Sequence, residues 1–236
     1  MTVADLNNRT SQPTARARVR EEIRKLILTG ELRPGSRLTQ QQLAQRFGVA
    51  QSVVRESLLE LQFSGLVESI DNLGVFVRNV DNATLLNAYH VREMFEGLAA
   101  RLCCQNASRA DVKELHDIAE RMYQLSIEGK NAQRGILDRQ FHHRQVVISG
   151  NVILHRLTDA YHVLGMVIQA FRPHEEIHNE HVAIVKAIEH NQPDEAERLA
   201  RQHVIGTRRA VEAQIAEGSF TPRWVLEDPE YAKEII

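Results

Sequence analysis

Residues 34–77 read PGSRLTQQQLAQRFGVAQSVVRESLLELQFSGLVESIDNLGVFV. The stretch spells a short helix, a glycine turn, a second helix and a small hairpin. That order builds a winged helix-turn-helix, whose use is to lay one helix in the major groove of DNA. Thr39 with Gln42 three residues on fits a capping box for orphan amides at a helix start. Leu43, Ala44 and Phe47 supply an apolar face, Gly48 suits the left-handed conformation that ends a helix, and Val49 turns back into the core. The next helix carries Val54, Leu58, Leu59 and Leu61 inward at helical spacing and closes at Gly65. Ile70 and Val75-Phe76-Val77 flank Asp71-Asn72-Leu73-Gly74, which reads as two strands and a tight turn with Gly74 at its tip. Upstream, residues 14–29 form an amphipathic helix with Val19, Ile23, Leu26 and Ile27 apolar.

The run from Pro34-Gly35 through Leu43-Ala44, Phe47-Gly48-Val49, Val54-Arg55-Glu56, Leu58 and Gly65-Leu66-Val67 resembles the GntR family of bacterial transcription regulators, over residues 14–78. The resemblance implies that the second helix of the motif reads bases and that Arg55 contacts DNA. The family commonly has Ser-Arg-Thr-Pro ahead of Val-Arg-Glu, whereas this chain has Ala50-Gln51-Ser52-Val53. Ala50 lacks a capping hydroxyl, a loss of about 0.5–2 kcal/mol unless Ser52 or water compensates. Gln51 stands where the family has an arginine that reads guanine. Glutamine pairs naturally with the N6/N7 edge of adenine, so the operator is expected to depart from the family's guanine-containing half-site. Gln41 stands where another contact residue often lies.

The chain has 236 residues, enough for two domains with separate cores, and a net charge of −2. The charge is uneven: residues 1–80 hold 11 Lys/Arg against 8 Asp/Glu, while residues 81–236 hold 18 against 23. The positive share therefore lies with the DNA-reading head, where phosphates need it. No apolar run is long enough to span a membrane, and the N-terminus lacks the apolar core of a signal peptide. Cys103 and Cys104 are adjacent in a helical stretch, point in different directions, and suit a reducing cytoplasm as buried thiols. The expected layout is a disordered 1–12, a winged helix-turn-helix over 13–79, a helical domain over 80–217 and a C-terminal arm over 218–236 containing Pro222, Trp224 and Pro229.

From Asp81 onward strand signals vanish, and Gly, Asn, Ser and Pro divide the chain into six helices near 82–105, 109–128, 131–149, 152–171, 174–190 and 193–216. The fold class is mainly α: an N-terminal winged helix-turn-helix followed by an all-α antiparallel helical bundle. Asp138 and His142 are four apart and share a helix face. His181 shares its face with Ile177, Ile184 and Ile188; His203 shares its face with Ala196, Leu199, Ala200, Thr207 and Ala210. Inward polar groups need partners. A hydrogen-bonded core histidine accounts for any one of these alone. A carboxylate and three imidazoles meeting in one core suit a divalent metal: zinc first, with nickel and manganese as the others. His143 is peripheral, and His178, one turn from His181, is a substitute ligand.

This part of the chain is similar to the FCD effector domain of the FadR subfamily within GntR regulators. The typical pattern of Asp-x-x-x-His, Glu-His and a final histidine falls on Asp138 and His142, on Glu180-His181, and on His203, and six helices resemble the VanR-like group. The resemblance implies a metal held by Asp138, His142, His181 and His203. Arg92 lies on an inward face with Leu85, Ala88, Tyr89, Glu96 and Ala99, so it needs an anion or an internal carboxylate such as Glu93 or Glu96. The resemblance places there an arginine that grips an effector carboxylate, with Tyr89 and Arg134 as further candidates.

The expected function is a ligand-responsive repressor, acting in the cytoplasm as a homodimer. It reads an inverted repeat in double-stranded DNA through Gln41, Gln51, Ser52, Arg55 and Gly74, and binds a metal and a small carboxylate metabolite. The alternative is a metal-dependent hydrolase fused to a DNA-binding head, since a metal with open positions activates water. The chain has no His-Glu-x-x-His motif, and no enzyme is expected. A helical adaptor with purely structural histidines is the third reading.

Overall fold

In the computed structural model, which describes residues 13–28, 30–79, 81–165 and 172–220, the chain forms two units that divide between Arg78 and Asn79. The first contains α1 (Ala15–Leu28), β1 (Arg37–Leu38), α2 (Gln40–Phe47), α3 (Gln51–Phe63), β2 (Val67–Ile70) and β3 (Gly74–Val77). Its core takes Val19, Ile23, Leu26 and Ile27 from α1, Leu43 and Ala44 from α2, and Val54, Leu58 and Leu61 from α3. The Ser57 hydroxyl ties α3 to α1 by donating to the Arg16 carbonyl at 3.0 Å. Leu59, expected inward, is 57% exposed. It sits about 100° around the helix from buried Leu58, so it faces away from the shared core.

Gly48 ends α2 in the left-handed region, at φ 63°. Thr39 holds the N-cap position of α2, but its side chain makes no capping bond, so the expected capping box does not form. The wing is antiparallel, with Ile70 opposite Gly74 and Val67 opposite Val77. Gly74, expected at the tip, is therefore at the foot of the turn, which is Asp71-Asn72-Leu73 with Asn72 at φ 61°. β1 adds a third strand, in the order β1-β3-β2. It was invisible in the sequence because two residues show no alternation. Gly74 has φ 109°, and a Cβ there would lie 3.3 Å from the Arg37 guanidinium.

The second unit contains α4 (Asn82–Asn106), α5 (Arg109–Ile127), α6 (Asn131–Ile148), α7 (Val152–Gly165), α8 (His174–Glu189) and α9 (Pro193–Ala216). Asp81 caps α4 by accepting from Thr84 N at 2.7 Å. Ser108 and Asp111 close a reciprocal capping box on α5. Gly97 lets α4 and α9 approach closely: a Cβ there would come within 2.6 Å of the Arg201 side chain. Cys103 is buried and donates to the Gln145 carbonyl at 3.1 Å; burial pushes its thiol up to about 12. The expected disordered segment 1–12, the expected end of the fourth bundle helix at 171, and the expected arm beyond Phe220 lie outside the described residues.

Ala50 has the backbone of a helix cap, φ −67° and ψ 150°, yet offers no side-chain bond to the α3 amides. The change Ala50→Ser supplies the missing acceptor and is expected to stabilise the first unit by about 0.5–2 kcal/mol. Urea unfolding followed by circular dichroism checks this, and an unchanged midpoint counts against the cap.

Candidate functional site

Three helices deliver one cluster. α6 carries Asp138 and His142 one turn apart, α8 carries His181, and α9 carries His203. One ligand atom from each lies within 4.8 Å of all the others. The three imidazoles are buried, His181 to 1% exposure. Asp138 Oδ1 lies 3.9 Å from His181 Nε2 and 4.0 Å from His142 Nε2. Neither of these buried nitrogens has a hydrogen-bond partner among the described residues. The donor set of imidazoles and one carboxylate fits zinc, nickel or manganese. Burial, with His203 and His142 alongside, holds His181 well below the usual imidazole range, so its lone pair is available. Burial raises Asp138, but His142, Arg92 and Arg134 outweigh it and keep the carboxylate charged.

Behind these groups stand two carboxylates. Glu180 Oε2 accepts from His203 Nδ1 at 2.7 Å, and Glu96 Oε2 approaches His142 Nδ1 at 2.9 Å, off the hydrogen-bond axis. A carboxylate on the outer nitrogen fixes the tautomer that leaves the inner nitrogen as an acceptor. Each carboxylate meets an arginine. Arg92 Nε donates to Glu96, and Arg172 forks onto Glu180, with Nη2 to Oε1 at 2.6 Å and Nη1 to Oε2 at 2.9 Å. Burial opposes charge on Glu96, yet Arg92 and His142 hold it far below the usual carboxylate range.

Arg92 thus takes Glu96 as its internal partner, while Glu93 pairs with Arg201. The Arg92 side chain keeps 22% exposure and stands over the Tyr89 ring at 5.8 Å. Tyr89 is buried, its hydroxyl has no hydrogen-bond partner among the described residues, and burial raises its pKa. Arg134, one turn before Asp138 on α6, likewise has a buried Nε without a hydrogen-bond partner there. Its charge acts on both Asp138 and His181. His178, the substitute ligand in the sequence reading, points elsewhere. It stacks on Tyr123 at 4.5 Å, and its Nε2 lies 3.4 Å from Glu120.

Arg172 escaped the sequence reading. It lies in the connection before α8, where no helical period marks an inward face. Glu180 was visible only as the neighbour of His181; its partner on α9 is 23 residues on.

On the first unit, Gln51, Ser52 and Arg55 are exposed along one face of α3, and Gln41 is exposed on α2. Glu56 and Glu60 turn back to α1, Glu60 meeting both Arg16 and Arg20 at 2.9 Å. The acidic groups of α3 are thereby paired with arginines of α1.

Residues 15–77 match the family model described as bacterial regulatory proteins, gntR family, and residues 87–206 match the FCD domain. A Paenarthrobacter nicotinovorans protein named Probable D-xylose utilization operon transcriptional repressor is 29% identical over 84% of this chain and 89% of its own length. The Escherichia coli Glc operon transcriptional activator is 28% identical over 79% of this chain and 84% of its own. Among solved structures, Escherichia coli McbR/YncC superposes with a TM-score of 0.68 at 20% identity, covering 86% of this chain and all of that one, 100%. That likeness is one of fold.

Proposed function

The chain belongs to the gntR family of bacterial regulatory proteins, as a DNA-binding transcription regulator with an FCD domain, and from that footing we propose that it is a metal-containing repressor released by a small carboxylate. The observation that carries the reading is the convergence of Asp138, His142, His181 and His203 within 4.8 Å. A divalent ion there supplies a Lewis-acidic point for an anionic oxygen. Arg92, Tyr89 and Arg134 supply donors around it. The ligand must bind the DNA-competent and DNA-incompetent states unequally, by about 10⁴-fold for a full switch from 1:99 to 99:1. Repression follows the name of the Paenarthrobacter relative. A homodimer places two α3 helices on an inverted repeat. Among the described residues no helix is long and apolar enough to cross a membrane. The hydrolase alternative is disfavoured because Glu96 and Glu180, the carboxylates behind the cluster, are engaged by arginines and imidazoles rather than placed as a general base.

Metal-stripped protein is expected to take up one zinc ion per chain. At a free zinc concentration 100 times its dissociation constant the helical unit gains about 2.7 kcal/mol. Elemental analysis and thermal melts with and without a chelator read this out, and His181→Ala should abolish both uptake and stabilisation. Failure of the wild type to bind any divalent ion would remove the metal from the reading.

Arg55→Ala is expected to weaken operator binding by about 1–3 kcal/mol at matched salt, measured by fluorescence anisotropy. Equal affinity of variant and wild type would take Arg55 out of the interface.

Titration of the protein–operator complex with small carboxylates and their neutral amides should release DNA only with the acids. Arg92→Ala and Arg134→Ala should each blunt the response. Release by a neutral compound, or a full response in both variants, is incompatible with the proposed site.

A further inference from the structure

We infer that Arg172 is a positioning residue for His203, acting through Glu180 and seated by Gly206. The inference rests on reading the four-residue cluster as a metal site. The Arg172 side chain is 5% exposed although it lies outside any helix. Its fork fixes the plane of the Glu180 carboxylate at two points, 2.6 and 2.9 Å. Glu180 Oε2 takes a second bond from His203 Nδ1 at 2.7 Å. A carboxylate accepts only, so the proton lies on Nδ1 and the Nε2 lone pair is left for the cluster.

Arg172 also grips the helix that carries the imidazole. Nη1 reaches Thr207 Oγ1 at 3.3 Å and the His203 carbonyl at 3.5 Å, while Nη2 meets Glu176 at 2.5 Å. One guanidinium thus holds both the carboxylate that orients His203 and the turn of α9 on which His203 sits. Gly206 makes the seat: a Cβ there would lie 3.0 to 3.3 Å from three guanidinium atoms, so a side chain requires the fork to shift by a few tenths of an ångström. The corresponding contact at His142 is less well made, since Glu96 approaches off-axis. The Arg172–Glu180–His203 line is the better-held half of the site.

The test uses the full chain stripped of metal. Nitrogen NMR of the imidazoles is expected to show His203 in wild type as a single Nδ1–H tautomer. Arg172→Ala and Gly206→Ala should show a tautomer mixture, with Arg172→Lys, which keeps the charge but not the fork, between them. Zinc titration should give a dissociation constant raised about 10-fold or more in Arg172→Ala. Should Arg172→Ala fold poorly, Gly206→Ala and Arg172→Lys carry the same readouts with the charge kept. A merely structural role lowers the melting temperature of the variants while leaving the tautomer and the zinc affinity of folded protein unchanged, and that result overturns the inference. Wild type that binds no zinc defeats the metal reading, while the tautomer measurement still decides the role of Arg172. Wild type and variants that bind zinc equally defeat the role of Arg172 and leave the metal standing.

Discussion

Four lone-pair donors face one another at a point in the helical unit where the three imidazoles are closed to solvent. A neutral imidazole has one nitrogen that donates and one that accepts. At His203 the donating nitrogen faces Glu180, and at His142 Nδ1 faces Glu96. The other nitrogen of His203 is therefore an acceptor, and with the unpartnered Nε2 atoms of His142 and His181 it meets Asp138, itself an acceptor held charged by its neighbours. Acceptors alone repel at such distances. A cation among them adds an attraction to each acceptor that outweighs the repulsion between them, which is the physical basis for the proposed metal.

The surrounding charges favour what the ion would in turn attract. Arg92, Arg134 and Arg172 are balanced by Glu96, Asp138 and Glu180 within the same region; Glu176, which also meets Arg172, is half exposed and counts for less. A divalent ion added to this near-neutral set leaves it with excess positive charge in a poorly solvated place. An anion is the natural complement. Tyr89 and Arg134 have buried polar atoms lacking hydrogen-bond partners among the described residues, so an oxygen-rich ligand satisfies groups that the fold leaves in want. The Arg92–Glu96 pair sets a limit: a ligand that takes Arg92 draws on the same guanidinium that faces the partner of His142.

What the sequence disclosed was whatever periodicity could carry. Asp138 and His142 share a face because they are four apart, and His181 and His203 were found inward because aliphatic neighbours mark the buried side of their helices. Their common inward placement suggested one core site, and the family pattern falling on the same four residues strengthened it, a step that spacing within single helices does not provide. Arg172 was hidden because it lies in a connection, where inward and outward have no period. Leu59 misled because an apolar residue beside a buried one reads as core when polarity alone is counted. Whether Arg92 had an internal partner turned on rotamers, and the structure gives Glu96.

In the proposed reading a ligand at the cluster acts first on α4, the helix that follows the head in the chain. β3 ends at Val77 and α4 begins at Asn82, so the connection is short. Asp81 closes the start of α4 with a bond to Thr84 N, which makes the first turn a defined end rather than a fraying one. α4 then runs for 25 residues as a single helix and carries Tyr89, Arg92 and Glu96 along the face that meets the site. A helix transmits rotation and translation along its length with little loss, since its backbone bonds move together. A ligand that changes the Arg92–Glu96 pairing acts three to four turns from the capped end, by the rise of about 3.6 residues per turn. A ligand at that face therefore acts on a helix whose first turn is firmly capped.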